Sequence, residues 1–303
     1  MGIQRYLLSL LCSVFLVHVA TAKSGFTRYF FSTPMCFSSH QKIREVIKKG
    51  MKDDPDLIPA FSRAAFHDCI TATSSKPNSG CNGSLRLEEE ITNMNNDRLQ
   101  PPLDFLRQHL PTIAHKKCAS FADGIQLGAE VAMQISGGPK VLGKLVNSAA
   151  PRVDVDDPDT VEGELPDEDD PFPKLLDFYA RKGFNLREMV VSNVGGHALG
   201  AFEDDEDNQE KPFTTTETSF NIDYAVNLVQ RIDTGKNLEG FHTLNSDLEL
   251  LNNTESVFWL KYYAGHTGVG YVPSLGKLRL LTDYGKFLIK LASLKGSNLP
   301  AKC

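Results

Sequence analysis

The hydrophobic positions of this chain recur mainly with the spacing of an amphipathic helix. Apolar residues three and four positions apart predict helices along most of the chain, because such residues share one helix face. The predicted helices are Gln41–Met51, Leu57–Cys69, Pro102–Leu110, Ala122–Ser136, Pro173–Lys182, Leu186–Leu199, Asn221–Arg231 and Tyr284–Leu294. Alternating patterns typical of strands are scarce. The pattern therefore indicates a mainly helical protein.

The longest connection between predicted helices runs from Asn147 to Asp170. Asp-Pro pairs and runs of acids interrupt it, which is typical of turns and solvated loops. We therefore expect a solvated loop between two lobes here.

The N-terminus carries a continuous apolar run. Arg5 precedes the apolar residues 6–17, and Ala20-Thr21-Ala22 offers the small residues of a cleavage site. A membrane anchor would need about 20 continuous apolar residues. We therefore predict a signal peptide over residues 1–22 and a secreted, extracellular protein.

The composition narrows the function classes. The chain has 303 residues, of which 41% are hydrophobic, enough for a large core. Its 38 acidic residues outnumber its 32 basic residues, for a formal charge of −6. We therefore expect neither nucleic acid nor an anionic membrane as the main partner.

A first candidate site lies near the end of the second predicted helix. Arg63 and His67 are four residues apart and project from one helix face, with Phe66 beside them. A fixed cation and a base would then share one cavity wall. The alternative is a surface or capping pair, which is the common role of an isolated Arg/His pair.

A second candidate is His197, which follows Gly195 and Gly196. Missing side chains would let a large planar group approach the helix. A histidine that binds iron usually donates its other ring N–H to a carboxylate, and Asp247 is a candidate for that acceptor.

These residues belong to motifs that occur in order along roughly residues 36–297. The motifs are Arg63-x-x-Phe66-His67-Asp68-Cys69, Gly80-Cys81-Asn82-Gly83-Ser84, Ser136-Gly137-Gly138-Pro139, Leu165-Pro166-Asp167, Gly195-Gly196-His197-Ala198-Leu199-Gly200 and Ser246-Asp247-Leu248-Glu249-Leu250. In this order they resemble the plant, fungal and bacterial haem peroxidase superfamily.

The resemblance implies an all-α fold with haem b between two lobes. The lobes would be residues 23–160 on the distal side and 161–303 on the proximal side. It implies that hydrogen peroxide is reduced through a ferryl intermediate, which then oxidises a small reducing substrate. His67 would move the proton during O–O cleavage and Arg63 would stabilise the charge on the leaving oxygen.

The resemblance also assigns the surrounding residues. His197 would be the axial iron ligand with Asp247 behind it, and Phe66 and Phe213 would lie against the cofactor site. Asn96, six residues after Glu90, would form a hydrogen bond with His67 and keep it basic. The alternative for Asn96 and Asp247 is that both are polar loop residues.

The proximal half departs from the secreted members of the family. Ala198, Thr214 and Asn221 stand where those members carry calcium ligands, so we predict no proximal calcium. The His-Ala-Leu-Gly sequence and the step of sixteen residues to Phe213 resemble the cytochrome c peroxidase and ascorbate peroxidase branch. That branch often has Trp at the position of Phe213. We therefore expect the ring of Phe213 to stack on His197 without a hydrogen bond, and Asp247 to serve His197 alone.

A distal cation site is better preserved. Asp68, Asn82 and Ser84 offer side-chain oxygens, and Gly80 offers a carbonyl, a set suited to one calcium ion. Asn82 removes one charge from the expected set. It also begins an Asn-Gly-Ser glycosylation sequon, as Asn252 begins an Asn-Asn-Thr sequon, and a glycan on Asn82 would compete with the metal.

Five cysteines follow the signal peptide, an odd number for an oxidising compartment. Cys69 and Cys81 flank the predicted cation loop and are expected to pair. Cys36 with Cys118 is the next expected pair, which leaves Cys303 free. Pairing of Cys118 with Cys303 is the alternative.

The reducing substrate is predicted by looking in this sequence for the specialised substrate sites of the family. A manganese site would need a third acid where Ala60 stands beside Asp56 and Glu203, so manganese oxidation is not expected. Trp259 lies in an apolar helical stretch and is expected in the core. The acidic run 203–207 would repel anionic donors such as ascorbate, unless it is simply a solvated loop. Small phenols are therefore the expected reducing substrates.

The alternative function is a secreted haem-binding or extracellular-matrix protein on the same fold with little catalysis. Arg63 and His67 argue against it, because a protein that only binds haem would need His197 alone.

Overall fold

The computed structural model describes residues 26–113, 118–204 and 209–299. The predicted signal peptide 1–22 and Cys303 lie outside these residues. The described chain is mainly helical, which confirms the all-α fold class. The α-helices are α1 (Phe26–Asp53), α2 (Leu57–Ile70), α3 (Glu88–Ile91), α4 (Gln100–Ile113), α5 (Phe121–Ser136), α6 (Phe172–Arg181), α7 (Leu186–Gly196), α8 (Asp223–Thr234), α9 (Asn245–Glu249), α10 (Thr254–Ala264) and α11 (Pro273–Leu291).

Short strands and 3₁₀ turns complete the described fold. Strands β1 (Ala201–Asp204) and β2 (Gln209–Pro212) form one antiparallel pair, and β3 (His266–Thr267) and β4 (Gly270–Tyr271) form another. The 3₁₀ turns are Ser84–Arg86, Met94–Asn96, Leu250–Asn252 and Gly296–Asn298. The predicted helices correspond to α1, α2 and α4–α8, while Tyr284–Leu294 overlaps the C-terminal part of the longer α11.

Helices α2 and α5 pack closely and form the base of the distal half. An ideal Cβ on Gly128 of α5 would lie 2.0 Å from the ring of Phe61 on α2. Glycine at this position therefore lets the two helices approach. Ser120 and Asp123 form a capping box at the start of α5, and Gly137 with φ of 77° ends it. The result is a rigid support for the opposite face of α2.

The connection between residues 147 and 170 is partly solvated and partly held by contacts with the rest of the fold. Asp154 accepts hydrogen bonds from the backbone N–H groups of Phe121 and Ala122 at 2.8 and 2.9 Å, which caps α5. Arg152 forms a 2.8 Å ion pair with the buried Asp123. The expectation of a solvated loop is confirmed only in part, because half of these residues are exposed whereas Asp154 and Arg152 bind partners distant in sequence.

Buried residues from both halves form one hydrophobic core. Val161 and Leu165, in the connection itself, belong to that core. The division into lobes at residue 160 stays a prediction. In the described residues, no helix is long and apolar enough to cross a bilayer.

Both expected disulfides among the described cysteines are present. Cys36 is bonded to Cys118 and Cys69 to Cys81. The alternative pairing of Cys118 with Cys303 is therefore wrong.

Trp259 is only partly buried, which corrects the expectation that it lies in the core. Its ring packs against the core from α10. The guanidinium of Arg187 lies 4.1 Å from the centre of the ring, and the indole N–H donates to Glu255 at 3.4 Å. A helical apolar stretch did not distinguish a core position from the edge of the core.

Candidate active site

Asn96 fixes the orientation of the His67 ring. His67 Nδ1 lies 2.7 Å from Asn96 Oδ1, while Asn96 Nδ2 donates to the carbonyl of Glu90 at 2.9 Å. Because the amide nitrogen of Asn96 is already a donor, its oxygen faces His67 and must accept a hydrogen bond. The proton of neutral His67 is therefore on Nδ1, and Nε2 has a free lone pair.

The surroundings of His67 keep its ring neutral. Burial and the nearby positive charge of Arg63 lower the pKa of His67, the hydrogen bond to Asn96 raises it, and the net result is a pKa of about 3. Phe66 lies beside it, with ring centroids 5.9 Å apart. At neutral pH this histidine is therefore able to accept a proton.

Arg63 lies on the same face of α2, one turn earlier. Its guanidinium donates to the carbonyls of Asp97 at 2.6 Å and Asn95 at 3.0 Å. Burial lowers the pKa of Arg63 to about 10, so it stays cationic at neutral pH. Arg63 is nevertheless exposed at the surface of the described chain. The carbonyls orient this charge beside His67.

His197 directly follows the last residue of α7, and its ring is oriented by α9. Its Nδ1 lies 2.7 Å from Oδ2 of Asp247, a carboxylate whose side chain has no exposed surface. The ionised carboxylate can only accept, so Nδ1 carries the proton and Nε2 is left as an electron-pair donor. This is the tautomer that an iron ligand requires.

Two aromatic rings enclose His197. The ring of Phe213 lies against it, with centroids 4.6 Å apart and planes at 32°. The ring of Tyr224 meets it edge-on at 5.2 Å. Phe213 has no hydrogen-bonding group, as expected from the sequence, and Gly200 accepts its backbone N–H at 3.3 Å.

Tyr224 is the residue that the sequence did not reveal. Its hydroxyl donates to Asp247 Oδ2 at 2.5 Å, so the expectation that Asp247 serves His197 alone was wrong. Asp247 Oδ1 is buried and has no hydrogen-bond partner among the described residues. Both donors therefore converge on one carboxylate oxygen.

The two glycines before His197 have different surroundings. An ideal Cβ on Gly195 would lie 2.3 Å from the ring of Tyr284 on α11, whereas Gly196 has no neighbour within 4 Å. Gly195 is thus required for helix packing, and only Gly196 adjoins open space. The expectation that both admit a planar group was wrong for Gly195.

The predicted distal cation residues meet in one buried cluster. Both carboxylate oxygens of Asp68 and the hydroxyl of Ser84 are buried without a hydrogen-bond partner in the described chain, as is Glu90 Oε1. Burial raises the pKa of Asp68, and the nearby acids Glu90 and Asp159 raise it further. A cation would relieve both the unpaired oxygens and the repulsion.

Asn82 and Gly80 make contacts that the sequence did not predict. The amide nitrogen of Asn82 donates to Asp159 Oδ2 at 3.1 Å, and the backbone N–H of Gly80 donates to the same oxygen at 2.9 Å. Lys76 Nζ lies 3.5 Å from Asp159 Oδ1. Among the described residues, no three His, Cys, Asp or Glu side chains are grouped as a metal site. Calcium here would depend on Asp68 and neutral oxygens.

Comparison with known proteins agrees with this geometry. Residues 43–266 match the family model described as peroxidase. L-ascorbate peroxidase 5, peroxisomal, of Arabidopsis thaliana is 30% identical over 206 residues, which cover 68% of each chain. L-ascorbate peroxidase 3 of the same plant is 28% identical over 238 residues, covering 74% of this chain and 78% of the relative. Cytochrome c peroxidase, mitochondrial, of Yarrowia lipolytica is 29% identical over 198 residues, covering 62% of this chain and 54% of the relative.

The chain belongs to the peroxidase family. It is a hydrogen-peroxide-dependent oxidoreductase, and the family implies haem as its cofactor. His197 is suited to bind the haem iron, because its Nε2 is unprotonated and its Nδ1 is hydrogen-bonded to a buried carboxylate.

Proposed function

We propose that this chain is a secreted haem peroxidase that oxidises small phenol-like donors, with His67, Arg63 and Asn96 on the distal side and His197 as the iron ligand. The observation that supports this best is the orientation of Asn96. It leaves His67 Nε2 free as a base, beside a cationic Arg63. A protein that only carries haem has no need of this arrangement.

The distal residues would act on the two oxygens of peroxide in turn. His67 Nε2 takes a proton from one oxygen and delivers it to the other, so that water can leave. Arg63 supplies positive charge where the departing oxygen becomes negative. Haem, held through His197 Nε2, supplies the redox chemistry when bound. Asp247 fixes the His197 ring and makes its Nε2 more basic.

Reconstitution tests this function. The full chain would be loaded with haem, scanned for a histidine-ligated Soret band and mixed with hydrogen peroxide, with and without guaiacol. We expect a spectral change on peroxide addition that guaiacol reverses as it is oxidised. An intact Soret band that peroxide does not change would instead favour the haem-binding or matrix protein.

The donor class is the finer part of the proposal. Phe213 beside His197 offers no easily oxidised ring for relay to a protein partner. Ala60 stands where a manganese site would need a third acid beside Asp56 and Glu203. Two of the relatives are named as ascorbate peroxidases, so ascorbate is the second candidate. The ratio of kcat/KM for guaiacol to that for ascorbate decides between them, and a ratio below one would overturn the phenol assignment.

Secretion is supported by the predicted signal peptide and by the two disulfides, which persist mainly in oxidising compartments. The two sequons differ in exposure. Asn82 is buried and its amide donates to Asp159, while Asn252 is exposed at the end of a 3₁₀ turn. We therefore assign glycosylation to Asn252 and not to Asn82.

Expression in a secreting eukaryotic cell tests this assignment. The protein should reach the medium and lose mass on treatment with an N-glycosidase. Asn252→Gln should abolish that loss, and Ser84→Ala, which destroys the other sequon, should not. Retention inside the cell with free thiols would contradict secretion.

A distal calcium ion is the remaining proposal. It is supported by the buried oxygens of Asp68 and by the hydroxyl of Ser84, which match the preference of calcium for oxygen ligands. We expect bound calcium by elemental analysis and a lower Tm after treatment with EGTA. Asp68→Asn should remove both effects. An unchanged Tm with no bound calcium would refute the site.

A further inference from the structure

The carboxylate of Asp247 receives its hydrogen bonds unevenly. His197 Nδ1 lies 2.7 Å from Oδ2 and the hydroxyl of Tyr224 donates to the same atom at 2.5 Å. The other oxygen is buried with no partner in the described chain. The phenol and the imidazole therefore compete for the lone pairs and the charge of one atom.

The hydrogen bond from Tyr224 should weaken the hydrogen bond from His197 to Asp247. A hydrogen bond to an ionised carboxylate is about twice as strong as a neutral one. Each donor draws charge from the oxygen and so weakens its attraction for the other. The hydrogen bond from His197 to Asp247 makes the ligand more anionic and stabilises ferric iron. A strong donor on the same oxygen must therefore reduce that effect.

We propose that Tyr224 is a positioning residue that sets the electron donation of His197 to the haem iron, by competing with His197 for Asp247 Oδ2. The hydroxyl of Tyr224 donates to Asp247, and the ring of Tyr224 meets that of His197 edge-on. Phe213, which packs against both rings, has no donor and takes no part in this competition. The inference rests on the proposed function, in which His197 is the iron ligand. Loss of the histidine-ligated haem spectrum in His197→Ala would test that ligand separately.

The test is the Fe(III)/Fe(II) midpoint potential of the haem-loaded protein, together with the Fe–His stretching frequency of the ferrous form. Tyr224→Phe keeps the ring and removes the donor. We expect a more negative potential and a higher stretching frequency, because Asp247 then binds His197 more strongly. Incorporation of 3-fluorotyrosine at position 224 makes a stronger donor and should shift both quantities in the opposite direction.

Tyr179→Phe is the matched control. Tyr179 is also a buried tyrosine packed near α7, but its hydroxyl oxygen lies within hydrogen-bond distance of Ser192 Oγ at 3.0 Å and Asn193 Oδ1 at 3.1 Å. Its loss should leave both readouts unchanged.

Opposite shifts for the two changes at position 224, with an unchanged control, would support the proposal. Shifts of one sign, no shift, or an equal shift in Tyr179→Phe would overturn it. If Tyr224→Phe does not fold, the fluorotyrosine protein alone still decides, because only a donor effect raises its potential.

Discussion

Asn96 Oδ1 lies 2.7 Å from His67 Nδ1, and this contact determines which nitrogen of the imidazole can act as a base. The amide orientation is itself set by the bond from Asn96 Nδ2 to the carbonyl of Glu90. One polar side chain thus converts a partly buried histidine into a proton acceptor directed away from Asn96.

Removal of the His67 imidazole should greatly slow the reaction with peroxide. Positioned acid–base groups contribute about 10²–10⁴-fold, and His67 would act on both oxygens. We expect His67→Leu to slow the spectral change after peroxide addition by at least this factor, measured by stopped flow. His109→Leu, at a histidine that stacks on Phe105, is the control. A His67→Leu rate within tenfold of wild type would refute the role.

The pH profile of the same step should reflect the environment of His67. The neutral form is the active base, and burial lowers the pKa of His67 to about 3. The rate should therefore stay level from neutral pH towards pH 4 and fall as the pH drops through about 3. Half-loss of the rate near pH 6.5, the ordinary value for histidine, would contradict this environment.

His197 should be required for the spectrum of a histidine-ligated haem. In His197→Ala the imidazole is lost and Asp247 remains without its partner, so the five-coordinate high-spin spectrum should disappear. Added imidazole should restore it in part by occupying the vacated space. His266→Ala, at an exposed histidine in β3, should have no effect. An unchanged spectrum in His197→Ala would show that another group binds the iron.

The distal residues could be predicted because their signals are local. Arg63 and His67 are related by one helical turn, and the helix that carries them was predicted within one residue of its observed end. Asn96 follows Glu90 closely in sequence, so the resemblance placed it correctly beside His67.

Tyr224 could not be predicted, because it belongs to none of the motifs that carry the resemblance and its partner Asp247 lies on another helix. A tyrosine on the buried face of α8 has the pattern of an ordinary core residue. The connection 147–170 was predicted only in part, because half of its residues are exposed. Its composition indicated solvation, whereas the partners of Asp154 and Arg152 lie elsewhere in the chain.

The last prediction concerns Phe213 and the unpaired oxygen of Asp247. Phenylalanine is hard to oxidise, so one equivalent of peroxide should give no exchange-coupled amino-acid radical signal in the paramagnetic resonance spectrum of the wild-type protein. In Phe213→Trp we expect such a signal, because an indole at this position is oxidisable and its N–H can donate to the buried Oδ1 of Asp247.

The added hydrogen bond contributes about 1 kcal/mol, while the larger ring costs about 1–3 kcal/mol through overpacking. Phe213→Trp should therefore fold with equal or slightly lower stability in urea unfolding. Phe202→Trp, where the native ring stacks on His242, is the control for an indole nearby and should give no such signal. A radical signal in the wild-type protein, or oxidation of ferrocytochrome c faster than guaiacol, would mean that another residue relays electrons. In that case Phe213 would not decide where the oxidising equivalent resides.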